Sequence, residues 1–273
     1  MTTRDVHPLA DELLTLALTT AEPAADLVRA GRSGAADHVD TKSNPVDVVT
    51  AVDRASEQLV VARLLGARPD DGVLGEEGTS RTGTSGVRWV VDPIDGTVNF
   101  LYGLDSFAVC IAAEVEGTTE VGVVVDVAAG ETFAAVRGRG AWSTRDGVTT
   151  PLQASAPVSV AQTLVATGFA YDAGIRGRQG RVLAGLLPLV RDVRRFGSAA
   201  VELCLAAAGR VDAYYQLDLK PWDWTAAALV AAEAGLVVRV SEGHGVGDPL
   251  VQAFPPGVAD ELDALLAQLH AQG

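Results

Sequence analysis

The sequence predicts an α/β protein, an α+β layered sandwich in which helices cover sheets. Three observations carry that expectation. The 273 residues are 48% hydrophobic, enough for one large domain or two intimate subdomains with a substantial core. The first half contains successive strand-like runs joined by short turns, the pattern of antiparallel neighbours. The second half alternates short strands with helical periods, so each helix can cover a sheet face.

Leu9 to Arg32 reads as the first helix, with Leu13, Leu16, Ala17 and Leu27 at helical spacing; Pro23 predicts a kink or break near Ala21-Glu22. A polar, glycine-containing stretch follows from Gly31 to Asn44. Thr50, with Asp53 three residues on, predicts a capped helix start. That helix runs to about Ala67, with Val52, Leu59, Ala62 and Leu65 as its expected buried positions, and Arg68-Pro69-Asp70-Asp71-Gly72 ends it. The period then changes. Val73–Gly75, Val87–Val91, Ser106–Glu116, Thr119–Val127 and Glu131–Arg137 read as strands, the last two joined at Ala128-Ala129-Gly130 as a hairpin. Beyond them the reading alternates: strand Leu164–Thr167, helix Arg178–Val190, strand Val193–Phe196, helix Ser198–Ala208, strand Val211–Gln216, helix Trp222–Ala234, strand Leu236–Val240, and a last helix from about Val258 to Gln272. The join near Pro151–Pro157 divides the chain into subdomains of residues 1–150 and 151–273.

Composition narrows the function. Lys and Arg number 21 against 35 Asp and Glu, a net charge of −14 that repels phosphate backbones and anionic lipid; neither nucleic acid nor membrane is an expected partner. Cys110 and Cys204 sit in apolar runs and read as small buried hydrophobes. Two thiols build neither a disulfide framework nor a cysteine zinc site. The charged start MTTRDVHPLADELL does not read as a signal peptide, and no apolar run approaches a membrane span, so the cytosol is the expected location. His7, His38, His244 and His270 are scattered, without the i, i+4 spacing of a helical zinc site. No Gly-x-Ser-x-Gly elbow and no phosphate-binding Gly-x-x-x-x-Gly-Lys-Ser/Thr loop occurs. Gly243-His244-Gly245-Val246-Gly247 reads as a surface turn. The chemistry falls to carboxylates.

The informative stretch is Trp89-Val90-Val91-Asp92-Pro93-Ile94-Asp95-Gly96-Thr97-Val98-Asn99-Phe100. An apolar strand ends at Asp92, Pro93 stiffens the exit, and Gly96-Thr97 opens a helix. Two carboxylates and the Ile94 carbonyl at a strand end offer hard oxygens to Mg²⁺, and the N–H groups of Gly96 and Thr97 suit a phosphate. The same residues also suit a solvated turn in which Asp95 only caps the helix. Glu76-Glu77 after a short strand, Asp47 and Asp53 around Thr50, and Asp223 in Trp222-Asp223-Trp224 are further acidic elements, each open to a plain structural role.

Together, Lys42–Asp53, Gly75-Glu76-Glu77, Trp89–Phe100, Gly197-Ser198-Ala199-Ala200 and Asp212–Asp223 closely resemble the inositol monophosphatase family, within the lithium-sensitive, magnesium-dependent phosphatases. The resemblance covers nearly the whole chain, and the Asp92–Thr97 run with a later Trp-Asp is its most specific part. It implies alternating helix and sheet layers, a homodimer, a small phosphomonoester substrate and Mg²⁺. By that resemblance Glu76, Asp92 and the Ile94 carbonyl hold a first Mg²⁺; Asp92, Asp95 and Asp223 hold a second; Asp53 helps a third, weaker ion near Glu76. Glu76 and Thr97 orient the attacking water, Gly96 and Thr97 cradle the phosphate, and Asp95, Ser198, Ala199 and Gln216 lie on the substrate side. Phosphomonoester hydrolysis needs an activated water and neutralised ester and leaving oxygens, which two ions about 3.5–4 Å apart supply.

The sequence departs from the family at Gln216, where a glutamate usually contacts substrate hydroxyls. An amide keeps the hydrogen-bonding capacity and loses the charge. Lys220 either points to solvent or adds a cation for a second anionic group on the substrate, and Arg194 and Arg195 either line the substrate pocket or a subunit contact or sit at a surface strand end. The expected activity is hydrolysis of inositol 1-phosphate or a related polyol phosphate. The alternatives are a sibling phosphatase for histidinol phosphate, 3′-phosphoadenosine phosphates, fructose 1,6-bisphosphate or NADP, and a non-catalytic interaction protein on the same fold.

Overall fold

The computed structural model describes residues 6–32, 39–41, 48–241 and 249–272. The Lys42–Asp47 half of the first acidic motif, the turn at Gly243–Gly247, and His38 and His244 lie outside the described residues.

Helix α1 (Ala10–Gly31) is one helix with Pro23 inside it, and the expected break is absent. Pro23 has no N–H for the Thr19 carbonyl four residues back. Arg63 donates to that carbonyl at 3.2 Å, so the orphaned acceptor is satisfied from a neighbouring helix. Strands β1 (Val39–Thr41) and β2 (Val48–Thr50) pair antiparallel and lead into α2 (Ala51–Ala67). The Thr50 hydroxyl accepts from the Val52 and Asp53 N–H groups, and Asp53 accepts from Thr50 N at 2.9 Å, a closed capping box. The face that α2 buries differs from the expected one. Asp53, Ser56, Glu57, Val60 and Leu64 are buried, Ala62 is exposed, and Val52, Leu59 and Leu65 are half-buried at the side of the core. Hydrophobic periodicity misassigns this helix because half of its inward stripe meets polar backbone rather than other side chains of the core.

An eight-stranded sheet follows in the order β10-β9-β8-β7-β6-β5-β3-β4. Its strands are β3 (Gly72–Gly75), β4 (Ser80–Arg81), β5 (Val87–Asp95), β6 (Ala108–Val115), β7 (Thr118–Asp126), β8 (Glu131–Val136), β9 (Gly140–Arg145) and β10 (Val148–Pro151). Strand β5 does not stop at Asp92. Its pairing with β6 slips between Asp92 and Asp95 and resumes at Asp95–Ala108, so both carboxylates sit on a bulge. The β9–β10 hairpin was not expected. Its turn places Asp146 at φ 52° and Gly147 at φ 74°, the two positive values a tight Asp-Gly hairpin demands.

Short helix α3 (Thr97–Tyr102) leaves β5 toward the second half. There a five-stranded sheet runs β12-β11-β13-β15-β14. Its strands are β11 (Leu164–Thr167), β12 (Asp192–Arg194), β13 (Ala213–Leu217), β14 (Val237–Ser241) and β15 (Leu250–Phe254). Strands β12, β11 and β13 are mutually parallel. Strand β15, absent from the sequence reading, lies between β13 and β14 and pairs antiparallel with both. Helix α4 (Ala173–Leu186) starts earlier than Arg178, because Asp172 caps it by accepting from Ile175 N at 2.8 Å.

Helices α5 (Ala199–Ala207) and α6 (Pro221–Glu233) are apolar nearly all round and pack between the two sheets, burying Leu203, Cys204, Ala227 and Val230 against Cys110, Val124, Phe133 and Tyr214. Helices α1 and α2 cover the outer face of the large sheet. Helices α4 and α7 (Ala259–Gln272) cover the outer face of the small one. The result is five alternating layers, helix, sheet, helix, sheet, helix. Among the described residues no helix is long and apolar enough to cross a membrane.

Candidate active site

One cavity of about 570 Å³ opens where the β5 bulge, the Gly75–Thr79 loop, the start of α6 and the strand ends of the small sheet meet. Glu76, Asp92, Ile94, Asp95, Gly96, Thr97, Ala199, Gln216 and Asp223 all line it. Three segments far apart in sequence therefore bring Glu76, the Asp92–Asp95 pair and Asp223 to one hollow.

Each carboxylate is held by local structure. Asp92 Oδ1 accepts from Ile94 N at 3.0 Å, which folds the Asp-Pro-Ile turn back on itself. Asp95 reaches the N-terminus of α5. Its Oδ2 accepts from the Ser198 hydroxyl at 2.5 Å and from Ala200 N at 2.7 Å. Ser198 is buried and spends its hydroxyl on Asp95 and on capping α5; Ala199 faces the cavity. Asp223 sits in the first turn of α6 and accepts from Lys220 N at 2.7 Å. Thr97 Oγ1 lies 3.1 Å from Asp53 Oδ1 and 3.0 Å from the Ile94 carbonyl oxygen. Asp53 thus caps α2 with one oxygen and meets Thr97 with the other, while it is itself buried and does not line the cavity.

The backbone is equally constrained. Gly96 has φ 91°, and a Cβ there would stand 2.9 Å from the Ser106 carbonyl oxygen and 3.2 Å from that of Gly197. Only glycine fits this junction. Asn99 Nδ2 donates to the Ser106 and Phe196 carbonyls, and Glu202 Oε1 accepts from Phe196 N and Gly197 N at 2.7 and 2.8 Å. These buried side chains fix the loop that carries Arg195.

Electrostatics call for a cation. Burial, and then the like charges of Glu76, Asp95 and Asp223, push the Asp92 carboxyl well above its ordinary range; Asp92 and Glu76 also share a hydrogen bond. Burial followed by Glu76 and Asp95 pushes Asp223 up in the same way. Burial raises Asp95 to about 6, against the pull of Ser198 and the α5 amides. Among the described residues no three His, Cys, Asp or Glu side chains are drawn into a ready cation cage. A hard divalent ion completes its shell with water and substrate phosphate, so carboxylates spread along one wall can hold it without forming a closed cluster.

The opposite wall was only partly legible. Phe169, Ala170, Tyr171 and Asp172 follow β11, Arg195 follows β12, and Gln216 and Asp218 end β13. All lie at the carboxyl ends of the three parallel strands, where open α/β sheets bind ligands. That rule, applied to the predicted strands, would have found the Phe169–Asp172 loop. Gln179 ties the loop down, accepting from Ala170 N at 2.8 Å and donating to the Leu217 carbonyl at 3.1 Å. Gln216 Oε1 accepts from the Tyr214 hydroxyl at 2.9 Å. Arg195 and Lys220 line the cavity, whereas Arg194 pairs with Asp192 at the surface.

A five-layer α/β fold with a carboxylate-walled cavity beside a glycine-opened helix is the architecture of a metal-dependent phosphoric monoester hydrolase. The chain belongs to the inositol monophosphatase family, whose sequence profile matches residues 9–271. It is 43% identical to the inositol-1-monophosphatase of Mycobacterium leprae, over 99% of this chain and 98% of that one. It is 37% identical to the Nus factor SuhB of Pasteurella multocida, over 93% and 95% of the two chains. The solved structure of Mycobacterium tuberculosis SuhB superposes with a TM-score of 0.84 at 42% identity, covering 96% of this chain and 98% of that one.

Proposed function

We propose that this chain hydrolyses inositol 1-phosphate or a related polyol phosphate, with Mg²⁺ as its metal. The observation that supports this most strongly is the shared cavity of Glu76, Asp92, Asp95 and Asp223 beside the Asp53–Thr97 contact. Glu76, Asp92 and the Ile94 carbonyl would hold one ion, and Asp92, Asp95 and Asp223 a second, with Asp53 supporting a weaker third. When bound, the ions activate a water and neutralise the charge that builds on the ester and leaving oxygens.

The chain's own groups do the rest. Thr97 donates its single hydroxyl proton toward Asp53 or Ile94, which leaves its lone pairs to accept from the attacking water. Glu76 orients that water from the other side. The first N–H groups of α3 have no intrahelical partner and suit the phosphate oxygens. Ala199, Gln216, Arg195 and Lys220 face the alcohol part of the ester. A homodimer in the cytosol belongs to the same reading.

Phosphate release from a panel of phosphomonoesters, with and without Mg²⁺, tests the proposal. Inositol 1-phosphate should be among the best substrates, and complete chelation should abolish release; activity that survives chelation would exclude the mechanism. The same panel run on Gln216→Glu should change substrate preference several-fold while leaving turnover of a generic aryl phosphate nearly unchanged. The substitution keeps the shape and the Tyr214 contact but adds a charge, and charged hydrogen bonds contribute roughly 1.5–3 kcal/mol against about 1 for neutral ones. An unaltered profile would remove Gln216 from specificity.

A further inference from the structure

The polar stripe of α2 touches the two backbone segments that carry Glu76 and the Asp92–Asp95 bulge. Asp53 meets Thr97. One turn on, Ser56 Oγ donates to the Pro93 carbonyl at 3.2 Å, in the middle of the Asp92–Asp95 turn. Beside it, Glu57 turns its carboxylate onto the loop that presents Glu76. Glu57 Oε2 accepts from Glu77 N at 2.7 Å, and Oε1 accepts from Thr79 N at 3.1 Å and Thr79 Oγ1 at 2.6 Å. The loop is also closed by Gly75 N donating to the Thr79 carbonyl at 2.7 Å and anchored by Glu76 N donating to Val91 O at 3.2 Å. A Cβ on Gly75 would stand 2.5 Å from Glu57 Oε2, so the loop is moulded around this one carboxylate. Glu57 is only 3% exposed and does not line the cavity.

We propose that Glu57 is a positioning residue for the metal-binding wall: its buried carboxylate, bound by three donors of the 77–79 segment, sets where Glu76 stands relative to the Asp92–Asp95 bulge, with Ser56 holding the bulge from the same helix face. The inference rests on the assignment of Glu76 as a metal ligand. An acidic side chain that never touches the ion thereby governs how tightly it binds. Charge-assisted hydrogen bonds to backbone N–H groups are the strong kind, and groups that orient ligands from behind change metal affinity by about 10–100-fold when removed. A glutamine fits the same space but turns an N–H₂ donor against one set of donors, so the loop loses its template without losing its packing.

Mg²⁺ binding measured by isothermal titration calorimetry, with the melting temperature of the metal-free protein and kcat/KM against Mg²⁺ concentration, tests this on the full chain. Glu57→Gln should weaken Mg²⁺ binding by about tenfold or more. Its lost kcat/KM should return as Mg²⁺ is raised, and the metal-free melting temperature should change by only a few degrees. Thr79→Val, which deletes one of the three donors, should weaken binding by a smaller factor; it decides the matter if Glu57→Gln does not fold. A lowered melting temperature with Mg²⁺ affinity unchanged, in whichever of the two variants folds, would overturn the proposal. Glu76→Gln run in parallel separates the two levels. If it binds Mg²⁺ as the parent does, the ligand assignment itself fails; if it loses binding while the Glu57 and Thr79 variants do not, only the positioning role fails.

Discussion

Asp92→Asn is expected to lower kcat by roughly a thousandfold or more while leaving the fold intact. Asp92 is the carboxylate that both proposed ion positions share, so its loss disturbs both at once. The charge stabilisation from such ions amounts to several kcal/mol, and about 1.4 kcal/mol corresponds to a tenfold change in rate. The fold should tolerate the change because Asp92 is buried among like charges that already drive it toward its neutral form. An amide oxygen can still accept from Ile94 N. The metal-free melting temperature should therefore stay within a few degrees of the parent or rise. Steady-state phosphate release together with circular dichroism melts checks both halves, and near-normal turnover would contradict the shared-ligand role.

Without metal, the protein is expected to lose stability as the pH rises from about 4 to about 8, and Mg²⁺ should restore it mainly at the upper end. Burial raises Asp95 from 3.8 to about 6 and Glu202 from 4.5 to about 8, against the opposing hydrogen bonds. Asp92 and Asp223 are pushed up by burial and by their neighbours. A carboxyl with a raised value binds its proton more tightly folded than unfolded. The folded state thus holds more protons across this window, so unfolding becomes easier as pH rises through it. The penalty is absent below the unfolded values and complete above the folded ones. Mg²⁺ binds the ionised carboxylates of the folded chain, so it replaces the protons and stabilises most where they have left. Scanning calorimetry at pH 5 and pH 8 should show a metal-free melting temperature lower at pH 8 by on the order of 5 °C. The gain on adding Mg²⁺ should be larger at pH 8 than at pH 5. A metal-free melting temperature independent of pH would remove the electrostatic account of the site.

Much of this architecture was legible because short-range chemistry dictates it. Thr50 and Asp53 signal a capping box, Pro221-Trp222-Asp223 opens a helix with an acid in its first turn, and Asp92-Pro93-Ile94-Asp95-Gly96-Thr97 marks a strand-to-helix junction. What escaped depends on partners distant in sequence. Periodicity turns Val52, Leu59, Ala62 and Leu65 of α2 inward, yet the buried stripe holds Ser56 and Glu57, whose partners are the Pro93 carbonyl and the Glu77–Thr79 segment. Pro23 predicts a kink or break, yet α1 runs through it unbroken, with Arg63 donating to the Thr19 carbonyl that the missing N–H leaves without its helical partner. The position of β15 between two strands that precede it in sequence is a matter of topology rather than of local propensity. The Asp146-Gly147 turn, by contrast, is a hairpin signal carried by the dipeptide itself, with both residues at positive φ.

The most direct measurement is anomalous diffraction from crystals soaked in Mn²⁺, a scattering substitute for Mg²⁺. Two neighbouring peaks are predicted inside the cavity. Each should be ligated by the carboxylate oxygens of Asp92, one reached also by Glu76 and the Ile94 carbonyl, the other by Asp95 and Asp223. Peaks confined to other surfaces, or a cavity without them at saturating Mn²⁺, would contradict the claim that these segments fold together to bind the metal.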